Sequence, residues 1–169
     1  MSGVGFYPPD SSSSSVGGQT EASPGGQHDW LARLVVDWEA AGQLPASVPT
    51  RVVSLRSGVV LGRRGGMIQQ TMIPFFLGVG GRMGSGDQVM PWIHVKDVAG
   101  LMVHCVQTSS CSGVYNTVAP EHVTNNSFTK AYAGALHRPS IFPVPGFVMK
   151  GIFGEERASM VLQSQVWKN

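Results

Sequence analysis

Stretches patterned for strands alternate with stretches patterned for helices, and this alternation restricts the fold more than any other feature of the chain. Leu31, Leu34, Val35 and Trp38 recur at i, i+3, i+4 and i+7, and so do Val98, Leu101, Met102 and Cys105. That spacing places an apolar stripe on each of two helices. Asp29 precedes the first and offers a carboxylate to the unpaired N–H groups of its opening turn, and Asp97 is placed to cap the second. Gly42 and Pro45 stop the first helix. Residues 2–7, 51–56, 89–95 and 113–118 read as extended, with 58–62 carrying the second of these onward into a turn. A short helix is expected over 68–77, kinked or ended near its middle by Pro74. Thr124-Asn125 opens another that runs to about Leu136, and a last helical stretch covers 158–166. Strand, helix, strand, helix, strand, helix is the order of an α/β protein with crossover connections. The chain enters its first strand without a turn or cap, and both ends read as cut.

Composition removes several function classes. Charged residues are 13% of the chain, against about 25% in ordinary globular domains. The formal net charge is +2 and the basic residues are scattered, so no basic stripe for nucleic acid is present. No apolar run is long enough for a membrane span, and no basic segment followed by an apolar one opens the chain. The expected compartment is therefore reducing and intracellular, the cytoplasm. Cys105 and Cys111 lack CxxC spacing and read as free buried thiols, and the sequon Asn125-Asn126-Ser127 is expected to stay unmodified. Residues 8–27, with five consecutive serines, read as a flexible polar loop too poor in apolar groups to pack.

Chemistry-bearing motifs are few. Gly78, Gly80, Gly81, Gly84 and Gly86 cluster, but the sixth position of a GxGxxG counted from Gly78 is Met83. The cluster also follows a helical stretch and precedes an extended one, the reverse of a dinucleotide fingerprint. Gly84-Ser85-Gly86 lacks the outer glycines of a nucleophile elbow, since Met83 and Asp87 stand there. The five histidines are dispersed and no metal site is expected. His94 and Asp97 stand where a strand meets a helix, which suits either a substrate contact or a local cap. Arg56-Ser57-Gly58 ends another strand, which suits either a ligand contact or a buried turn.

The ordered set of these motifs carries a resemblance. Arg56-Ser57-Gly58-Val59-Val60-Leu61-Gly62 is followed by Gly65-Gly66, by the stretch from Gly78 to Asp87-Gln88, and by Trp92-Ile93-His94-Val95-Lys96-Asp97. With Asp29-Trp30-Leu31, Trp38-Glu39, Tyr115-Asn116, Ala119-Pro120, Thr124-Asn125 and Phe153-Gly154, the set resembles an atypical subfamily of extended short-chain dehydrogenase/reductases. Its members are called epimerase family proteins and are described as NADP-dependent nucleotide-sugar epimerases. The resemblance implies an α/β fold, the C-terminal portion of a Rossmann-type doubly wound parallel sheet, with a truncated C-terminal substrate-side domain. It implies that residues 1–66 belong to the NADP-binding domain, 67–144 to a substrate-side region interleaved with the last sheet elements, and 145–169 to the start of a C-terminal domain of unknown function. NADP is the implied cofactor of the complete family member, and a small molecule, a nucleotide sugar, its substrate.

Carried over position by position, the resemblance puts Ser2 at or one register from the catalytic serine and makes it the catalytic candidate. Val60, Ser57, Arg56, Tyr7 and Arg33 then fall on the cofactor side, and His94, Asp87 and Gln88 on the substrate side. The superfamily's Tyr-x-x-x-Lys dyad is absent: Asp29 stands at the tyrosine position and Arg33 at the lysine position. Arginine keeps the positive charge but is not tuned like lysine, and a carboxylate is a far stronger acid than a phenol. The family's glycine-rich first turn is also missing from these residues, so the chain alone is expected to be inactive. The alternative expectation is a non-enzymatic binding or regulatory fragment that self-associates through an exposed sheet edge.

Overall fold

The computed structural model describes residues 1–9 and 18–144. The helix expected over 158–166, and all of 145–169, fall outside the described residues. In chain order the elements begin with β1 (Ser2–Gly3), a 3-10 turn (Val4–Phe6), α1 (Trp30–Ala41) and β2 (Val53–Ser57). Then come β3 (Val59–Leu61), α2 (Gly66–Phe76), β4 (Val89–Met90), β5 (Trp92–His94) and α3 (Val95–Gln107). β6 (Gly113–Thr117), β7 (Val123–Thr124) and α4 (Asn125–Ala135) complete the series. The expected α/β class is present. β1, β2 and β6 form a parallel sheet in that order, β3 and β5 a second parallel pair, and β4 and β7 an antiparallel pair.

Several details differ from the sequence reading. The first strand is only two residues long, because the chain turns at Val4–Phe6. Residues 58–62 do not prolong β2: Gly58 N–H donates to Thr117 O of β6, and Val59 N–H donates to Pro91 O next to β5. The chain thus changes sheets at Gly58. Pro74 lies in the last turn of α2 rather than near its middle, and its carbonyl accepts from Val79 and Gly80 N–H as the helix ends.

Helix starts follow local capping chemistry. Asp29 Oδ1 accepts from Ala32 N–H at 2.7 Å, and Thr124 Oγ1 accepts from Ser127 N–H at 3.2 Å. Asp29→Ala is therefore expected to cost about 1 kcal/mol in unfolding free energy, measured by urea denaturation. α3 starts earlier than Asp97 would allow. His94 is its cap, with Nδ1 accepting from Lys96 N–H at 3.2 Å, and Asp97 falls inside the first turn.

The buried face of α1 is turned from the expected stripe. Ala32 and Val35 are buried and Glu39, seven after Ala32, follows them inward, while Trp38 is 54% exposed. This orientation brings the Glu39 carboxylate to the buried Arg56 of β2. On α3 Val98 is buried, but Met102, Val103 and Val106 remain exposed. Residues 18–27 are not a detached loop: Gly26 N–H donates to Phe6 O at 2.7 Å, and Glu21 Oε1 accepts from Asn116 N–H at 2.8 Å. Asn125 of the sequon is fully buried, which bars a glycan there. Among the described residues no helix is long and apolar enough to cross a membrane.

Candidate functional site

Two rows of residues cross the parallel sheet at the C-terminal ends of its strands. Register pairs Ser2 with Arg56 and Arg56 with Asn116, then Gly3 with Ser57 and Ser57 with Thr117. Successive side chains on a strand point to opposite faces, so the two rows serve different surroundings.

The first row is a buried polar network. Arg56 is 4% exposed. Its Nε and Nη2 donate to Glu39 Oε1 and Oε2, both at 2.7 Å, and its Nη1 donates to Tyr7 Oη at 2.8 Å. Tyr7 Oη donates to Asn116 Oδ1 at 2.9 Å, and Ser2 Oγ donates to Glu39 Oε1 at 2.6 Å. The guanidinium carbon lies 3.5 Å from the centroid of the Phe6 ring. A charge taken out of water is tolerated only when paired and hydrogen-bonded, and the two-point Arg–carboxylate fork satisfies both conditions. The Arg56 hydrogen bond holds the Glu39 carboxyl below its ordinary value; burial pushes the other way, and Ser2 adds to the lowering. Burial would lower the Arg56 pKa, but the hydrogen bonds to Glu39 and Tyr7 outweigh it, so the pKa is raised.

The second row opens on a cavity of about 280 Å³. Gly3, Val4 and Gly5 form one wall, Ser57, Gly58 and Val59 another, and Met67, Met90 and Pro91 close it with apolar surface. His28 and Asp29 supply polar groups, with His28 Nε2 3.5 Å from Asp29 Oδ2. Ser57 Oγ donates to Ser2 O at 3.3 Å, and the buried Thr117 hydroxyl has no hydrogen-bond partner among the described residues. A cavity at the C-terminal ends of parallel strands, with apolar walls and a few convergent polar groups, is where α/β proteins place ligands. A larger hollow of about 520 Å³ lies elsewhere, between the start of β2 and α3, with Met1, Pro49, Val53 and Met102 in its walls. Among the described residues no group of acidic, histidine and cysteine side chains is arranged to hold a metal ion.

No protein-family model matches the chain. It is 46% identical over 166 residues to epimerase family protein SDR39U1 of Bos taurus. The chain is homologous to the epimerase family proteins. The match covers 98% of this chain and 55% of the bovine protein, so the chain spans about half the length of the curated relatives it matches. The crystal structure of human epimerase family protein SDR39U1 (isoform 2) with NADPH superposes with a TM-score of 0.90 at 43% identity, covering 97% of this chain and 54% of the human one. A nucleoside-diphosphate sugar epimerase from Corynebacterium glutamicum superposes with a TM-score of 0.67 at 28% identity, covering 96% of this chain and 37% of its own. The fold is thus the Rossmann-like fold of these epimerase structures, over about half of the human chain.

Of the residues that the resemblance assigns to the catalytic, cofactor and substrate sides, Ser57 lines the cavity, as does Asp29 at the position of the family's tyrosine. Ser2, Tyr7 and Arg56 meet in the polar network behind it. Val60 follows Val59 of the cavity wall and pairs with Ile93 of β5. Arg33 is exposed on α1, with Nε donating to Asp29 O at 3.3 Å. His94 is exposed and caps α3, and Asp87 is exposed with its N–H donating to Ser85 Oγ at 3.3 Å. Gln88 is buried and its side-chain amide donates to Met83 O at 3.0 Å. The turn before Gln88 is pinned by Asn125, whose Oδ1 accepts from Met83 N–H at 2.7 Å. These substrate-side candidates do not line the cavity.

Sequence reading passed over Gly3, His28, Met90 and Pro91 as cavity residues, and Glu39 as the partner of Arg56. The signal for Glu39 was present: an acidic residue seven positions after Ala32 on one helix face, with Arg56 in the facing strand.

Proposed function

We propose that the chain forms the nicotinamide-facing and substrate-facing wall of an NADP-dependent oxidoreductase or epimerase of the short-chain dehydrogenase/reductase superfamily. The observation that carries this reading is the TM-score of 0.90 with an NADPH-bound relative, in a chain whose strand ends open on an apolar cavity with hydroxyls beside it. The residues fit the nicotinamide end of the cofactor. Gly3, Gly58 and Val59 offer close backbone approach, Ser57 a hydroxyl, Met67 and Met90 an apolar wall, and Thr117 an unspent buried hydroxyl in the same row. Bound there, NADP supplies hydride acceptance and its reduced form hydride donation. The chain's own residues position the ring, exclude water through the methionines and Pro91, and keep Ser2 fixed through Glu39 and Tyr7 fixed through Arg56. The exposed Asp87 and His94, with the turn around Gly84, face the substrate, which is a nucleotide sugar in this reading. The reading also places the chain in a reducing compartment.

The pyrophosphate is a different matter. Family members bind it on a glycine-rich turn at a helix N-terminus, and these residues contain no such turn. The chain alone is therefore inactive in this reading. Losing two charge-assisted hydrogen bonds of about 1.5–3 kcal/mol each weakens binding by two orders of magnitude or more.

Calorimetry with NADPH tests the reading on two samples. One is this chain. The other is a chimera in which the segment of the bovine relative that lies before the matched residues precedes it. The chimera is expected to bind NADPH and the chain alone at least about 100-fold more weakly. A folded chimera that does not bind would overturn the cofactor assignment, and equal affinities would overturn the inactivity of the chain.

A further inference from the structure

Cys105 and Cys111 take no part in the network or the cavity described above, and the fold brings them together. Cys105 lies in the last turn of α3, which closes with Thr108 N–H donating to His104 O at 2.9 Å. The chain then reverses, with Cys111 N–H donating to Thr108 O at 3.1 Å. One guanidinium holds both cysteines by their backbones: Arg51 Nη1 donates to Cys111 O, and Nη2 to Cys105 O at 3.2 Å. Cys105 is half-buried in the wall of the larger hollow, and Cys111 is 7% exposed. Burial, and then the adjacent Cys111 thiol, hold Cys105 above the ordinary thiol range, with Arg51 acting in the opposite sense.

We propose that Cys105 and Cys111 are a dithiol that closes to an intramolecular disulfide across the corner between α3 and β6. The oxidant is a small-molecule disulfide such as oxidised glutathione. Cys105 is the accessible thiol and reacts first. It loses its proton, its sulfur attacks the glutathione disulfide, and one glutathione thiolate leaves with that proton. Cys111 then loses its proton, attacks the Cys105 sulfur of the mixed disulfide and expels the second glutathione. Two protein thiols become one disulfide, and one glutathione disulfide becomes two thiols. Attack needs the thiolate, so a thiol held above the ordinary range makes closure slow near neutral pH and faster as the pH rises. Closure ties the end of α3 covalently to the turn that leads into β6, at a corner now held by Arg51 and one backbone turn.

The test is to incubate the full chain with oxidised glutathione and follow intact mass, peptide mapping and hydrogen exchange. Wild type is expected to lose two hydrogens without retaining glutathione, to give a peptide linking residues 105 and 111, and to exchange more slowly over 105–113. Cys111→Ala, which spares the accessible thiol, is expected to accumulate one glutathione adduct at Cys105. Cys105→Ser is expected to stay unmodified, because Cys111 is buried. A wild-type chain that keeps glutathione on Cys105 beside a free Cys111, or that cross-links only between two chains, would overturn the proposal.

Discussion

Glu39→Ala is expected to lower the unfolding free energy by about 3–5 kcal/mol in urea denaturation, the range for removing one partner of a buried ion pair. The reason lies in what it leaves behind. Arg56 would stay buried between the Phe6 ring and Tyr7, with two of its donors facing no acceptor. Ser2 would lose its acceptor as well. The pair also sets an acid limb. The folded pKa of Glu39 lies below the ordinary value of 4.5, so the unfolded chain takes up a proton first as the pH falls. The stabilisation is complete above about pH 4.5 and is lost as the pH drops through the lower folded value. Glu39→Gln is expected to flatten that part of the stability–pH curve. An unchanged acid limb in Glu39→Gln would show that another carboxyl governs it.

Gly58→Ala is the second large effect. A Cβ there would stand 2.7 Å from Pro91 O and 2.8 Å from Pro91 C. These are backbone atoms held by the bond from Val59 N–H to Pro91 O at 2.7 Å, so the neighbour cannot swing aside. The expected cost is about 1–3 kcal/mol from overpacking, read as a lower thermal midpoint. At a site with room, the same change would stabilise by about 0.4–1 kcal/mol through the unfolded chain. A raised midpoint would therefore contradict the close crossing of the two sheets at this position. The same variant is expected to weaken NADPH binding in the chimera, because Gly58 and Pro91 share the cavity wall.

Periodicity and capping chemistry made the helices legible, since both act within a few residues: Asp29 and Thr124 cap as read. Rules of that range do not see across the sheet. The apolar stripe on α1 pointed to Trp38, yet the helix is turned so that Glu39 meets Arg56, a partner on another element. The glycine at 58 looked like the end of one strand and is the crossing between two sheets, a fact fixed by Pro91 and Thr117, both far along the chain. The same holds for the site. Ser57 was readable as a strand-end residue, whereas His28 and Pro91 join the cavity only through tertiary packing. Resemblance supplied the family and the cofactor; it did not separate the arginine that supports the site from the serine that faces it.

The most direct measurement is the position of the nicotinamide ring in a crystal structure of the chimera with NADPH. The account predicts the ring in the cavity bounded by Gly3, Ser57, Gly58 and Pro91, with the Arg56–Glu39 network intact behind it. A ring bound elsewhere, with that cavity empty, would contradict it.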